Sequence, residues 1–167
     1  MSSLTLRLSG VMQSWGKREP WTESRRTEDK PTVSAIYGML GCAFGIHRGD
    51  DKNFKILKDC ITVDIDNVKV AKDGEFMVDD QTVHRLDDNR LFCGFDGKNR
   101  EGKCHTKIDT MILEKEYLVD GDYEVTLYGS IEDIEQTREA LLHPVWPYYL
   151  GRYCCIPSKS VIKEVDI

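Results

Sequence analysis

Arg25 and Arg26 lie just ahead of Pro31-Thr32-Val33-Ser34, which opens an apolar, glycine-containing helix, and Lys17 and Arg18 precede them in the same loop. Guanidinium groups beside the unpaired amides of a helix start suit a phosphate-rich ligand, because both donate to the same kind of oxygen. Thr32 or Ser34 caps that helix. The competing reading of Arg25 and Arg26 is a solvated loop among Glu23, Glu28 and Asp29. Trp15, next to Gly16, is either a surface on which a base stacks or an anchor tying the loop to the core.

A second basic group, Lys98, Arg100, Lys103 and Lys107, has His105 among it and only Glu101 against it. These cations could follow a nucleic-acid backbone through salt-dependent phosphate pairs; the alternative is a solvated hairpin tip. Arg152, after Gly151, is either a phosphate ligand or the partner of a carboxylate that fixes a C-terminal turn. Metal-free RNA cleavage would need a base for a 2′-hydroxyl and a cation for the phosphorane charge, roles open to Tyr37, Lys103 and His105. No nuclease motif surrounds them. Cys42, Cys60, Cys93, Cys104, Cys154 and Cys155 contain no C-x-x-C pair, so free thiols are expected, with neither a metal nor another cofactor.

The elements that must position these groups follow from periodicity. Leu4, Leu6 and Leu8 alternate with Thr5 and Arg7, a half-buried strand ended by Ser9-Gly10. Residues 11–31 read as an irregular loop. A helix runs from Thr32 or Ser34 to about Ile46, with Gly38, Gly41 and Gly45 on one side, expected to pack closely on a sheet, with direct ligand contact as the alternative. Short strands follow near Ile61–Ile65 and Val68–Ala71. From about Asp79 to Ile112 little periodicity survives, which reads as a long hairpin projecting from the domain. Tyr123, Val125 and Leu127 mark another strand. Ser130-Ile-Glu-Asp133 is a capping box opening a helix whose apolar residues are Ile131, Ile134, Leu141 and Leu142, stopped by Pro144; Val161 and Ile162 begin a last strand. This approximate β-α-β-β-α-β order predicts an α+β, ferredoxin-like (RRM-type) fold in one domain, residues 1–167.

Composition sets bounds on partners. The 167 residues carry a formal net charge of −6, with 40% hydrophobic and 31% charged residues. That balance weighs against a free-standing nucleic-acid binder, but the charge is uneven. Asp64 to Asp80 is acidic, whereas Lys98 to Lys107 is basic, as expected of one basic face and another that is solvated or docked on a partner. No apolar run approaches the 18 or so residues of a membrane span, and Met1 to Gly10 lacks the apolar core of a signal peptide, so no membrane partner and a cytoplasmic location are expected.

The segments Leu6-Arg-Leu-Ser-Gly10, Met12-Gln-Ser-Trp-Gly16, Arg26-Thr27, Pro31-Thr32 with Ser34, and Gly38-Met-Leu-Gly41 resemble, in order, those of the CRISPR-associated Cas-five family, the CasD-like subunit of type I Cascade complexes. Lys115-Glu-Tyr-Leu-Val-Asp120 with Tyr123-Glu-Val125 is similar to its R-x-Y-L-x-D-A-x-F-x-V segment, and Pro147 to Cys155 to its P-x-x-L-G-R-R-S-C signature. The M-Q-S-W-G form looks most like the type I-E branch. The chain departs from the family at Lys115, Gly121 and Tyr153-Cys154, where arginine, alanine and Arg-Ser are usual. An arginine lost beside Arg152 is a rigid bidentate phosphate donor lost.

The resemblance implies an RRM-like domain with a β-hairpin thumb, here about residues 80–112, folding over RNA. It implies binding of the 5′ handle of the CRISPR RNA, capping of the backbone built by the Cas-seven subunits, contact with the large subunit, and a place near target DNA. On it, the RNA-binding set is Trp15, Lys17, Arg18, Arg25, Arg26, Thr32, Ser34, Lys98, Arg100, Lys103, Lys107 and Arg152. A type I-C branch of the family is an endoribonuclease that processes precursor RNA, which keeps Tyr37, Lys103 and His105 as an alternative catalytic set. In I-E-like systems a separate subunit cuts, so a non-enzymatic role is expected. A ferredoxin-like protein-interaction domain, suited to the acidic charge and the helix of Ile131–Leu142, is the remaining alternative.

Overall fold

The computed structural model describes residues 2–17, 24–84 and 110–166. Their order is β1 (Ser2–Ser9), β2 (Met12–Gln13), β3 (Trp15–Gly16), β4 (Ser24–Arg25), β5 (Thr27–Glu28), α1 (Val33–Phe44), α2 (Asp51–Cys60), β6 (Thr62–Lys72), β7 (Glu75–His84), β8 (Thr110–Val119), β9 (Asp122–Gly129), α3 (Ile131–Leu142) and β10 (Ile162–Asp166).

The central sheet runs β10-β1-β9-β6, every pairing antiparallel. The leucine alternation of β1 explains its central place. Leu4, Leu6 and Leu8 are fully buried and pair across the ladder with Leu127, Val125 and Tyr123, themselves buried. Because paired residues in an antiparallel ladder share a face, the six make one apolar surface. Helices α1 and α3 pack side by side, with α3 against β1 and β9 and α1 reaching β6, closing the core with Ile36, Leu40 and Ile134.

The caps fix where the helices begin. Thr32 Oγ1 accepts from Ala35 N at 3.4 Å, and Ser130 Oγ accepts from Asp133 N at 3.1 Å while donating to Asp133 Oδ2 at 2.6 Å. Gly45 ends α1 at φ 70°, a left-handed cap. In α3 the expected apolar face is only half right. Ile134 and Leu141 are buried, but Ile131 and Leu142 are exposed, and Thr137 fills the gap with its hydroxyl donated to Asp133 O at 2.7 Å.

Three further expectations are corrected. A helix, α2, precedes β6; it is amphipathic but short, with Phe54 and Leu57 at i and i+3 and only Leu57 buried. The two strands expected near 61–71 are one strand, β6, whose register against β9 breaks between Asp64 and Lys69. There Asn67 donates backbone and side-chain hydrogens to the Asp64 carboxylate, a local turn inside a strand. Finally, the glycines of α1 do not pack on the sheet. Gly41 faces the Phe54 ring of α2, Gly45 faces Val145, and Gly38 faces open space.

The second sheet is built on β8. Its one edge pairs with β7 in continuous register from Glu75↔Val119 to His84↔Thr110, two ten-residue strands roughly 30 Å long. The pairing therefore begins at Glu75, ahead of the projection expected from about residue 80, most of which lies outside the described residues. The other edge of β8 takes β2 antiparallel and β4 parallel, so Arg25 lies alongside Lys115. Asp120, at φ 59°, turns the chain from this sheet into the central one, donating its N–H to Val11 O at 3.0 Å.

Among the described residues Cys42, Cys60, Cys154 and Cys155 are free thiols, no His, Cys, Asp and Glu side chains cluster as metal ligands, and no helix is long and apolar enough to cross a membrane. Arg18, Lys98, Arg100, Lys103, His105 and Lys107 lie outside the described residues, as do Cys93 and Cys104.

Candidate nucleic-acid interface

The loop between β1 and α1 is held by its own side chains. Gln13 is fully buried; its amide donates to Leu8 O at 3.2 Å and Gly121 O at 2.6 Å, and its carbonyl accepts from Trp15 Nε1 at 3.1 Å. Every strong polar group of the pair is satisfied, which a buried amide and indole require. Trp15 is 1% exposed, and its backbone N–H donates to Thr27 Oγ1 at 2.7 Å as β3 pairs with β5. The tryptophan is thus the anchor and not the stacking surface: both faces of its ring are covered by the core.

Segments far apart in sequence meet at this loop. Ser14 N donates to Leu150 O at 2.9 Å, and Lys17 N to Arg26 O at 3.4 Å. Glu116 on β8 accepts from Thr27 N at 3.3 Å, with Arg26 Nε 4.0 Å from its other oxygen. Arg152 donates from Nη1 to Glu116 O at 2.8 Å and from Nη2 to Arg25 O at 3.0 Å, its guanidinium 4.6 Å from the centre of the Tyr117 ring. The expectation that Arg152 pairs with a carboxylate is corrected: its partners are two backbone carbonyls and an aromatic face. It rivets the C-terminal loop to β4 and β8 and so fixes where Arg25 and Arg26 start.

Between this wall and α1 lies a cavity of about 680 Å³. Its floor is the outward face of α1, where Ser34, Gly38 and Cys42 recur at i, i+4 and i+8 with short side chains that leave room. Thr32 lines the same end; the Ala35 and Ile36 amides are already bonded to Thr32, which leaves those of Val33 and Ser34 as the unbonded donors of the helix start. Lys17, Arg25, Arg26, Arg48 and Arg152 line it too, and no aspartate or glutamate does among the described residues. Five cations without a lining carboxylate, in a chain of net charge −6, is a strong local inversion of sign. Guanidinium and ammonium groups beside a helix start are chemistry that suits anionic oxygens.

Of the expected set, Lys17, Arg25, Arg26, Thr32, Ser34 and Arg152 are brought together here. Arg48 joins them from the turn between α1 and α2. That turn is secured where Val145 and Trp146 donate backbone N–H groups to Ala43 and Cys42 carbonyls, and where His47 meets the Trp146 ring edge-on at 4.7 Å. Nothing in the sequence around Arg48 marks it, because its place depends on how the turn into α2 is folded back on α1.

Reactive groups near the cavity are held in their neutral forms. Burial pushes the Cys42 thiol up, which disfavours the thiolate a nucleophile needs. Burial also pushes Cys155 up, to about 11, with Cys154 adding to it. Tyr37 is corrected as a catalytic candidate. It is buried, its hydroxyl donates to Ile61 O at 2.7 Å, and burial raises its pKa, so the phenol secures α1 to the C-terminal end of α2.

Residues 3–166 match the profile of the CRISPR-associated protein (Cas_Cas5) family. The CRISPR system Cascade subunit CasD of Escherichia coli (strain K12) is 32% identical over 160 residues, covering 92% of this chain and 66% of its own length. A chain of a CRISPR RNA-guided surveillance complex is similar with a TM-score of 0.72 at 29% identity, over 96% of this chain and 61% of that one. A structure described as a Cas protein has a TM-score of 0.60 at 24% identity, over 95% of this chain and 60% of that one, a likeness of fold. The chain spans somewhat under two-thirds of the length of these relatives.

Proposed function

This chain belongs to the CRISPR-associated protein (Cas_Cas5) family, and from that premise we propose that it is a non-catalytic subunit of an RNA-guided Cascade complex, holding the 5′ handle of the CRISPR RNA in the basic cavity. The observation that carries this reading is the cavity itself: five cations and a helix start line one space, with no lining carboxylate among the described residues, on an acidic protein. Single-stranded RNA supplies the repeated phosphates such a cavity fits, and backbone contacts of this kind set register more than sequence.

The chain is read as one RRM-like domain, residues 1–167. The sheet order β10-β1-β9-β6 with α1 and α3 supports a ferredoxin-like core. The antiparallel β7–β8 pair supports a thumb, since β8 also carries β4 and Arg25 on its other edge. In the assembly the subunit caps the Cas-seven backbone beside the large subunit, near target DNA. The endoribonuclease reading loses Tyr37, whose hydroxyl is spent on Ile61 O.

Handle RNA binding by the purified protein or complex tests this. Arg26→Gln is expected to weaken it and to make the plot of log affinity against log salt shallower by about 0.7, one phosphate contact on a single strand. Unchanged affinity and slope would contradict the reading.

A further inference from the structure

Tyr149 lines the cavity, and Tyr153 stands beside it with ring centroids 4.8 Å apart and planes inclined at 47°. Tyr153 is 81% exposed, the most open large hydrophobic side chain among the described residues. The backbone that carries it is nevertheless pinned. Leu150 N donates to Cys155 O at 2.7 Å, Cys155 N to Arg152 O at 2.8 Å, and Ser14 N to Leu150 O, while Leu150 and Cys155 are fully buried. Gly151 passes so close to the Ser14 carbonyl, at φ 102°, that no other residue fits there. Arg152, between the two tyrosines, turns inward onto Tyr117 and takes no part in their pairing.

An aromatic held on a rigid loop and left in water loses little freedom when something covers it. A ring pair at the rim of an anion site meets two chemical needs of a single strand at once: phosphates go to the cations, and the attached base needs a flat apolar surface. Buried Trp15 cannot supply that surface, and Tyr117 is covered by Arg152.

We propose that Tyr149 and Tyr153 form a stacking platform for one unpaired nucleobase at the mouth of the basic cavity. This rests on the reading that the cavity holds a single-stranded RNA backbone. Every base has a π-face, so the platform grips without choosing sequence, and its contribution is insensitive to salt, unlike that of the cations.

The test compares a single-stranded oligouridylate with an abasic ribose-phosphate oligomer of equal length, bound to the protein as it purifies. Tyr153→Ala is expected to weaken oligouridylate binding about 5- to 150-fold at an unchanged salt slope. Tyr153→Phe restores what alanine loses. The wild type is expected to bind the abasic oligomer more weakly by a similar factor, and Tyr153→Ala to make no further difference to it. If Tyr153→Ala leaves oligouridylate affinity unchanged, or weakens both oligomers equally, the platform is overturned. Release of a co-purifying protein by Tyr153→Ala, with oligouridylate affinity intact, likewise overturns it by making the pair a protein contact. Arg26→Gln separates the two readings: if it leaves both oligomers unaffected, or if neither binds the wild type, the cavity reading fails and the platform falls with it.

Discussion

Two glycines of the cavity wall are expected to answer the same substitution with opposite signs. Gly151 has φ 102°, and a Cβ there would fall inside the envelope of the Ser14 carbonyl oxygen. Gly151→Ala must therefore strain the backbone, at about 1–3 kcal/mol, and push Ser14 away, costing the Ser14–Leu150 hydrogen bond another ~1 kcal/mol. The sum is about 3 kcal/mol, a large part of the ~5–15 kcal/mol by which a domain is stable. At ~2–4 °C per kcal/mol for a chain of this size, Tm should fall by roughly 6–12 °C. Gly38 sits in α1 with a negative φ, and a Cβ added to it would meet nothing within 4 Å. Gly38→Ala should instead gain about 0.5–1 kcal/mol of helix stability and raise Tm by roughly 1–4 °C. Thermal unfolding of the two variants beside wild type reads the result. A Gly151→Ala protein within a degree of wild type, or a Gly38→Ala protein that melts lower, would refute the assigned geometry.

Two further perturbations test the packing and electrostatics behind the site. Asp122 is held below its ordinary pKa first by hydrogen bonds from Arg7, at 3.0 and 2.5 Å, and then by the charges of Arg7 and Lys159, against a desolvation that raises it. A depressed folded pKa gives stability that is complete above the unfolded value, about 3.9, and lost as pH falls through the folded one. Asp122→Asn should thus lower the urea midpoint at pH 7 and flatten its decline below about pH 4; parallel acid limbs would contradict the pairing. Gly41→Ala would set a Cβ 2.6 Å from the tip of the Phe54 ring, so it should destabilise by about 1–3 kcal/mol, and Phe54→Leu should relieve much of that loss. A stabilising Gly41→Ala, or strict additivity with Phe54→Leu, would show that α1 and α2 do not meet there.

What the sequence made legible was whatever a single element decides alone. Leu4, Leu6 and Leu8 gave the central strand because alternation is a local property, and Thr32 and Ser130 gave helix starts because a cap needs only its next three residues. Helix α2 was legible in principle, since Asp50 caps it and Phe54 and Leu57 recur at i and i+3 among polar residues, but its apolar stripe is short and buries only Leu57. The face of Gly38, Gly41 and Gly45 was visible, but what lay opposite each was not, since that depended on Phe54 and Val145 arriving from elsewhere. The motif Met12-Gln-Ser-Trp-Gly16 was recognisable, yet its chemistry is scaffold: Gln13 and Trp15 spend every polar group on the loop, so that Lys17, Arg25 and Arg26 stand around one space. Arg152 was ambiguous for the same reason. A guanidinium has five donors, and only the fold shows that two of them hold backbone carbonyls.

The most direct measurement is where RNA touches the chain. Thiouridine-substituted guide RNA, crosslinked in the assembled complex and mapped by mass spectrometry, should mark peptides carrying residues 14–17, 24–38 and 149–153. Crosslinks confined to α2 and the acidic strand β6, with those three segments unmarked, would contradict the proposal that the basic cavity holds guide RNA.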